Sequence, residues 1–285
     1  MRIFRCIATL FVFSFCVVSS AWGAAAVSGA AEPLVIGETF SMASKVLGET
    51  RRINVYKPPG YDEAANEKVP VLYMPDGGIA EDFLHVAGLV QVSVGNGTMR
   101  PFLLVGIENT ERCRDLTPTT SSDEDKKIAP RVGGSANFRK FLRTELMPEI
   151  GKRYRTTGET AIVGESLAGL FVVETFLLEP NLFDTYIAFD PSLWWNDQKL
   201  VKDAETLIAA EPKKKRTLYL ANSSEEMITG VVERFHSVLK SSASKNLDWT
   251  YAAMPEEGHA TIYHPAALKA FRTVFKPKPE VSDAH

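Results

Sequence analysis

The chain has 285 residues, of which 45% are hydrophobic and 24% are charged, and its formal net charge at pH 7 is −3. These values describe a mildly acidic, soluble protein and exclude a strongly basic nucleic-acid binder. The one basic cluster, at residues 213–216, has no aromatic residues interleaved with it. It is therefore interpreted as a solvated loop.

The first 23 residues have the pattern of a secretory signal peptide. Two arginines begin it, residues 7–18 are apolar and small residues follow, so cleavage is expected after Gly23 or as late as Ala26. The apolar run is shorter than the roughly 20 residues that a membrane-spanning helix needs. We therefore expect a periplasmic or secreted protein with no membrane association after cleavage.

Cleavage would remove two of the three cysteines and leave Cys113 alone. A single cysteine cannot form an intramolecular disulfide, so the exported domain is expected to depend on its hydrophobic core. Cys113 lies between two arginines, which makes it a candidate nucleophile. No elbow motif surrounds it, and this favours an incidental loop cysteine.

The N-terminal residues 34–57 are predicted to form an antiparallel extension of the main sheet. Residues 51–57 alternate between apolar and polar side chains, with Ile53 and Val55 on one face. Such alternation is typical of a half-buried strand. We interpret 51–57 as an edge strand.

Residues 34–276 are expected to form one domain, followed by a C-terminal tail at 277–285. Short apolar runs bounded by proline, glycine or polar residues predict buried strands. They lie at 69–74, 102–107, 160–163, 186–189, 218–221 and 249–253. Apolar residues recur at helical spacing in 138–150, 170–177, 231–239 and 268–275. This alternation predicts an α/β fold, a mostly parallel sheet with helices on both faces.

The segment 109–135 does not fit the alternation of strands and helices, because it is long, polar and without periodicity. Loops of that length inside compact domains are usually functional or disordered. It directly follows a predicted strand, at the edge where open α/β sheets bind ligands. We expect it to form a wall or lid of the site.

A serine between small residues follows the predicted strand at 160–163, in the run Gly164-Glu165-Ser166-Leu167-Ala168-Gly169. An apolar run enters this segment and a helical pattern leaves it, as in a nucleophile elbow, where a sharp turn exposes a serine oxygen above a sheet. The strained turn needs small neighbours. Ala168 stands where the usual G-x-S-x-G pattern has glycine. A serine that caps an ordinary helix is the alternative interpretation.

A serine nucleophile needs a base, and the base needs an acid to orient it. His259 lies after the last predicted strand and is expected to be the base. Glu226 is the first choice for the acid, Glu225 the second and Asp190 the third, and a serine–histidine dyad also remains open. All three carboxylates satisfy the chain order serine, acid, histidine.

An oxyanion formed by attack on a carbonyl needs two preorganised N–H donors. We expect one from the backbone of Leu167, directly after the serine at a helix N-terminus. The other is expected from Gly77 or Gly78, in the loop after the strand at 69–74. The aromatic pair Trp194 and Trp195 either anchors a loop or lines a pocket, and one residue can do each.

Five motifs occur in a fixed order along the chain, at 69–77, 105–118, 164–171, 191–195 and 258–259. This set resembles the serine esterase family of α/β-hydrolases, especially the periplasmic siderophore esterases that cleave enterobactin-type trilactones. The resemblance covers roughly residues 57–275. It implies the α/β-hydrolase fold, with Ser166 as nucleophile and His259 as base. Two departures are Glu165, where the family usually has histidine, and Ala168.

The expected function is hydrolysis of carboxylic esters through an acyl-enzyme, with siderophore-type lactones among the candidate substrates. Arg114, within the second motif, is added to the residues expected to bind substrate. No metal or organic cofactor is implied, because the sequence has no H-E-x-x-H motif and no paired-cysteine spacing. The alternatives are an acyltransferase on the same fold and a binding protein that has lost catalysis.

Overall fold

The computed structural model describes residues 31–209 and 214–277. Contacts divide the chain into two compact units at residue 35. The described part of the first unit, residues 31–35, is exposed coil, and the second contains the strands and helices reported below. The predicted signal peptide and the predicted tail from residue 278 onward lie outside the described residues. No described helix is both long enough and apolar enough to span a bilayer.

The second unit contains an eight-stranded sheet in the order β1-β2-β4-β3-β5-β6-β7-β8. The pairs β1–β2 and β2–β4 are antiparallel, and the other neighbours are parallel. The strands are β1 (Glu38–Ser44), β2 (Glu49–Tyr56), β3 (Val69–Pro75), β4 (Leu103–Ile107), β5 (Thr156–Glu165), β6 (Thr185–Phe189), β7 (Arg216–Asn222) and β8 (Leu247–Ala253).

The antiparallel N-terminal extension and the mostly parallel sheet are confirmed, but the assignment of 51–57 to an edge strand is wrong. β2 pairs with β1 on one side and with β4 on the other. Its apolar residues Ile53 and Val55 are fully buried. The edge is β1, where exposed side chains alternate with partly buried ones. An alternating pattern shows that one face is buried, and it does not say how many neighbours a strand has.

Helices cover both faces of this sheet, as predicted. Successive residues of β3 point to opposite faces: Tyr73 belongs to a buried cluster with Phe138 and Phe171, whereas Leu72 belongs to another with Val86 and Phe271. The helices are α1 (Phe83–Gly95), α2 (Arg112–Leu116), α3 (Asp123–Ile128), α4 (Ser135–Phe141), a π-helical turn (Leu142–Leu146), α5 (Met147–Arg153), α6 (Ser166–Leu178), α7 (Trp195–Ala209), α8 (Glu226–Ser242) and α9 (Tyr263–Val274).

The parallel strands bring their carboxyl ends to one edge of the sheet. The loops that leave β3, β5, β6, β7 and β8 at this edge carry Asp76, Ser166, Asp190, Ser223 and His259, respectively. In open α/β sheets this is the edge where ligands bind. The topology therefore brings to one edge three side chains that the sequence singled out, Ser166, Asp190 and His259, together with Asp76 and Ser223.

Candidate active site

Ser166 lies at the junction of β5 and α6 with a φ of 60°, in the left-handed region of backbone conformations. A side chain at Gly164 would place its Cβ 2.7 Å from the Cβ of Ala168 and 2.6 Å from its carbonyl carbon. Gly164 therefore cannot carry a side chain in this turn. The methyl group of Ala168 fits because Gly164 has none, which explains how the chain accommodates alanine in the second small position.

His259, in the loop between β8 and α9, joins Ser166 to Asp190. Its Nε2 lies 3.1 Å from the Ser166 Oγ. Its Nδ1 lies 3.0 Å from the Asp190 Oδ2. The hydrogen bond to Asp190, together with the charge of Glu165, raises the pKa of His259 against the opposing effect of burial. Contacts of this kind, from a hydroxyl through an imidazole to a carboxylate, can activate a serine hydroxyl.

The carboxylate of Asp190 is fully buried and firmly held. Its Oδ1 accepts a hydrogen bond from the backbone N–H of Ser223 at 2.6 Å, and its Oδ2 accepts one from the Ser223 hydroxyl at 2.6 Å. Its backbone has a φ of 40°, directly after β6. The buried acid is therefore anchored by the loop after β7 before it contacts His259.

The first choice of acid from the sequence, Glu226, has to be corrected. Glu226 is exposed in the first turn of α8, and Glu225 is exposed directly before it. Of the three acid candidates, Asp190 is the one whose carboxylate contacts the His259 ring. β6 and β7 are neighbours, so both of their loops approach β8. The loop after β6 supplies the acid, and the loop after β7 supplies Ser223.

The loop after β3 distinguishes between the two glycines proposed as oxyanion donors. The N–H of Gly77 donates to the Ile107 carbonyl at 3.0 Å. The N–H of Gly78 donates to the Glu81 Oε2 at 2.6 Å. The N–H of Gly77 is therefore occupied by the backbone of β4. The N–H of Gly78 becomes available when the Glu81 side chain moves away. Leu167, the other expected donor, is buried at the first turn of α6.

Arg114, which the sequence led us to expect at the substrate, is engaged elsewhere. It forms ion pairs with Glu49 and Asp115 and is 17% exposed. Arg112 instead approaches the site: its Nε and Nη2 each lie 2.8 Å from an oxygen of Asp76. In a one-turn helix, residues two positions apart point in different directions. Within the segment that the sequence indicated, Arg112 is therefore the arginine that lies beside Asp76, and Arg114 is held by Glu49 and Asp115.

The two tryptophans have different environments. Trp195 is 2% exposed, and its Nε1 donates to the Pro118 carbonyl at 3.0 Å. Trp194 is only partly buried. The backbone N–H of Asn196 donates to the Asp125 Oδ2 at 2.7 Å, which gives the segment 109–135 a second attachment. Trp195 therefore anchors this segment, which contains α2 and α3.

Two residues beside Ser166 were not assigned a role from the sequence. The Ser192 Oγ lies 3.5 Å from the Ser166 Oγ, and its N–H donates to the Ser166 carbonyl at 3.1 Å. The Glu165 Oε1 lies 3.1 Å from the His259 Nδ1. Burial raises the pKa of Glu165 to about 7, although His259 and Arg112 oppose this shift. The only signals were the motif at 191–195 and the departure from the family pattern at 165.

Glu165, Asp190 and His259 also have donor atoms of the kind that metal ions prefer. Their nearest ligand atoms all lie within 4.8 Å of one another, which is a spacing found at this one place within the described ranges. The Nδ1 of His259 faces both carboxylates and forms a hydrogen bond with Asp190.

Comparison with known proteins identifies the family. The model of the family described as "Putative esterase" matches residues 44–266. The ferri-bacillibactin esterase BesA of Bacillus subtilis is 27% identical over 241 residues, which cover 78% of this chain and 79% of BesA. The apo-salmochelin esterase of Escherichia coli is 26% identical over 244 residues, which cover 78% of this chain and 74% of that protein.

Solved structures lead to the same group. An IroE-like serine hydrolase from Shewanella oneidensis is 29% identical with a TM-score of 0.76, and the match covers 84% of this chain and 80% of that one. The BES protein of Bacillus cereus is 27% identical, also with a TM-score of 0.76, over 88% of this chain and 100% of that one. The chain therefore belongs to this esterase family and is a carboxylic ester hydrolase.

Proposed function

We propose that the protein cleaves its ester through an acyl-enzyme, with Ser166 as nucleophile, His259 as base and Asp190 as orienting acid. The observation that carries this proposal is the continuous contact from the Ser166 Oγ through the His259 ring to Asp190, at 3.1 and 3.0 Å. The side chain of His259 is 37% exposed, so a substrate can approach it from solvent. This makes the serine reactive and accessible at once.

The first half of the reaction forms the acyl-enzyme. The Ser166 Oγ attacks the ester carbonyl carbon while its proton moves to the His259 Nε2. The resulting oxyanion accepts hydrogen bonds from the N–H groups of Leu167 and Gly78. When the intermediate collapses, the C–O bond to the alcohol breaks and the alcohol takes the proton from His259. Water then repeats the sequence, releasing the acid and restoring Ser166.

The Gly78 donor requires one rearrangement before it can serve. Its N–H is bound to Glu81, and the other oxygen of Glu81 accepts from the Asn109 side chain at 3.0 Å. A negatively charged oxyanion competes with the Glu81 carboxylate for the same N–H. Substrate binding therefore displaces the Glu81 side chain from Gly78.

The substrate is a small-molecule ester, and a siderophore-type lactone is the leading candidate. Two relatives are named as esterases of ferri-bacillibactin and apo-salmochelin, and they match this chain over most of its length. Partly buried Trp194 and the guanidinium of Arg112 border the loops around the nucleophile and are the residues proposed to contact the acyl or alcohol group. We also propose that the predicted leader at 1–23 directs export of the enzyme to the periplasm or out of the cell.

Labelling with a fluorophosphonate probe tests the nucleophile. We expect the parent protein and Ser192→Ala to be labelled and Ser166→Ala to remain unlabelled, with the modified peptide containing residue 166. Ser192 is the matched control because its hydroxyl is a neighbour of the same site. Absence of labelling in the parent would contradict the proposal and favour a binding protein on the esterase fold.

The substrate class needs a separate measurement on the same proteins. Hydrolysis rates of p-nitrophenyl esters of increasing acyl length are compared with those of a catecholate trilactone. We expect the trilactone to have the higher kcat/KM. A parent that cleaves short esters rapidly and leaves the trilactone intact would retain the mechanism and exclude this substrate.

A further inference from the structure

We propose that Glu165 is a second positioning carboxylate for His259, sharing the Nδ1 proton of the imidazole with Asp190. This inference rests on the proposed role of His259 as the base. It adds a residue to the proposed machinery, because a serine hydrolase needs only one acid at Nδ1.

The geometry brackets the Nδ1 atom between two oxygens. The Glu165 Oε1 lies at 3.1 Å and the Asp190 Oδ2 at 3.0 Å, so the distances are nearly equal, while the Asp190 contact is the one with hydrogen-bond geometry. Glu165 approaches from the end of β5 and Asp190 from the end of β6, which are neighbouring parallel strands. One N–H can be shared between two acceptors in a bifurcated hydrogen bond.

The Glu165 oxygen that faces His259 is buried, and it makes no hydrogen bond within the described part of the chain, so its 3.1 Å approach to the imidazole is a charge contact. The Glu165 side chain is 15% exposed. A buried carboxylate oxygen costs free energy unless it has a partner. The imidazole is the group within reach that supplies one, so the position of Glu165 is explained by His259.

The charges around the pair make the second carboxylate responsive to pH. Glu165 faces His259, Arg112, Asp190 and Asp76, while His259 faces Asp190, Glu165 and the more distant Glu225. Arg112 already pairs with Asp76. The positive charge of protonated His259 is therefore the main charge that balances the two carboxylates of Glu165 and Asp190. In turn, ionised Glu165 stabilises the imidazolium that forms during catalysis.

Removing the charge of Glu165 gives a signed expectation. Its carboxylate raises the pKa of His259, so Glu165→Gln lowers it, and the neutral base persists to lower pH. The acid limb of the kcat/KM profile moves to lower pH. Because the imidazolium loses a stabilising charge, kcat falls by about tenfold at neutral pH while KM changes little.

The first experiment measures the pKa of His259 directly and does not need activity. The Cε1–Hε1 signal of His259, assigned with His259→Gln, is followed through a pH titration of the parent, Glu165→Gln and Glu225→Gln. Glu225 is the matched control, an exposed carboxylate that acts on His259 without contact. We expect the pKa to fall by about 1 in Glu165→Gln and much less in the control. Equal pKa values in the two variants would overturn the proposal.

The second experiment uses a double-mutant cycle. If both carboxylates hold the Nδ1 proton, Asp190→Asn should lose less activity than an ordinary triad, which loses roughly 10⁴-fold when its acid is changed in this way. The double variant Glu165→Gln/Asp190→Asn then loses more than the product of the two single losses. Strict additivity, or an unmoved acid limb in Glu165→Gln, would overturn the role of Glu165.

Fluorophosphonate labelling and the His259 titration together separate this inference from the proposed function. A parent that fluorophosphonate does not label contradicts the nucleophile, and with it the catalytic role of Glu165, whatever the titration shows. A labelled, active parent whose His259 titrates unchanged in Glu165→Gln contradicts this inference alone. Circular dichroism of each variant confirms that the fold is retained.

Discussion

Ser223 donates both its backbone N–H and its hydroxyl to the carboxylate of Asp190, at 2.6 Å in each case. The loop after β7 thus fixes an acid that belongs to the loop after β6. Because Asp190 is fully buried, these donors replace the water that would otherwise solvate its charge. Ser223 therefore positions the acid without contact to the nucleophile.

Ser223→Ala tests this relationship. The variant keeps the N–H donor and loses the O–H donor, so the carboxylate is held less firmly and kcat is expected to fall by about tenfold, with KM nearly unchanged. Steady-state kinetics on a p-nitrophenyl ester measure both constants. Ser237→Ala, on the exposed face of α8, is the control. A kcat equal to that of the control would show that the backbone donor alone positions Asp190.

Gly164→Ala tests the steric requirement of the elbow. The added methyl would lie 2.6 Å from the backbone carbonyl carbon of Ala168, so we expect a loss of about 2 kcal/mol in the free energy of unfolding and of about 100-fold in kcat/KM. Gly151→Ala, where a new Cβ meets no atom within 4 Å, is the control; it should preserve kcat/KM and raise the unfolding free energy slightly, because alanine favours the helix α5.

The double variant Gly164→Ala/Ala168→Gly sharpens this prediction. It removes the methyl at 168 but leaves the Ala168 backbone carbon and oxygen, 2.6 and 2.7 Å from the new Cβ. Activity should therefore recover only in part. Full recovery would mean that the side-chain contact alone excludes a methyl at 164.

Glu165 is expected to make stability depend on pH. Burial raises its pKa from 4.5 to about 7, so the folded protein binds a proton that the unfolded chain releases between these values. Protonated Glu165 therefore stabilises the folded protein fully below pH 4.5, and this contribution to the free energy of unfolding is lost as the pH rises to 7. Urea unfolding at pH 5 and pH 8 should show a steeper decline in the parent than in Glu165→Gln, by about 2 kcal/mol. Parallel declines would contradict this prediction.

The two arginines of α2 should differ in their effect on catalysis. Arg112→Met removes a guanidinium that pairs with the buried carboxylate of Asp76 near the site, so both kcat/KM and the unfolding free energy should fall. Arg114→Met breaks ion pairs with Glu49 and buried Asp115 and should cost about 2 kcal/mol of stability, with kinetic constants preserved. Kinetics and urea unfolding of both variants measure this contrast. The reverse assignment of effects would restore Arg114 to the substrate site.

The local features of this protein were predictable because they depend on residues close together in the chain. The run 164–169 predicts a turn that requires small side chains, and the structure has Ser166 there with a positive φ. The short apolar runs predict the parallel strands, because a strand buried on both faces needs apolar residues throughout. The pairing of β2 on both sides was not predictable, since alternation describes the faces of a strand and not its edges.

By itself, the amino-acid sequence indicated the elbow, most of the strands and four helical segments, and it led to His259 as the expected base. Only the tertiary structure decided that Asp190 and not Glu226 contacts that histidine, that Arg112 and not Arg114 approaches the site, and that Gly78 and not Gly77 has a releasable donor. The physical reason is that parallel strands bring several loops to one edge of the sheet. Which side chain of each loop meets the others depends on backbone direction and burial, and chain order contains neither.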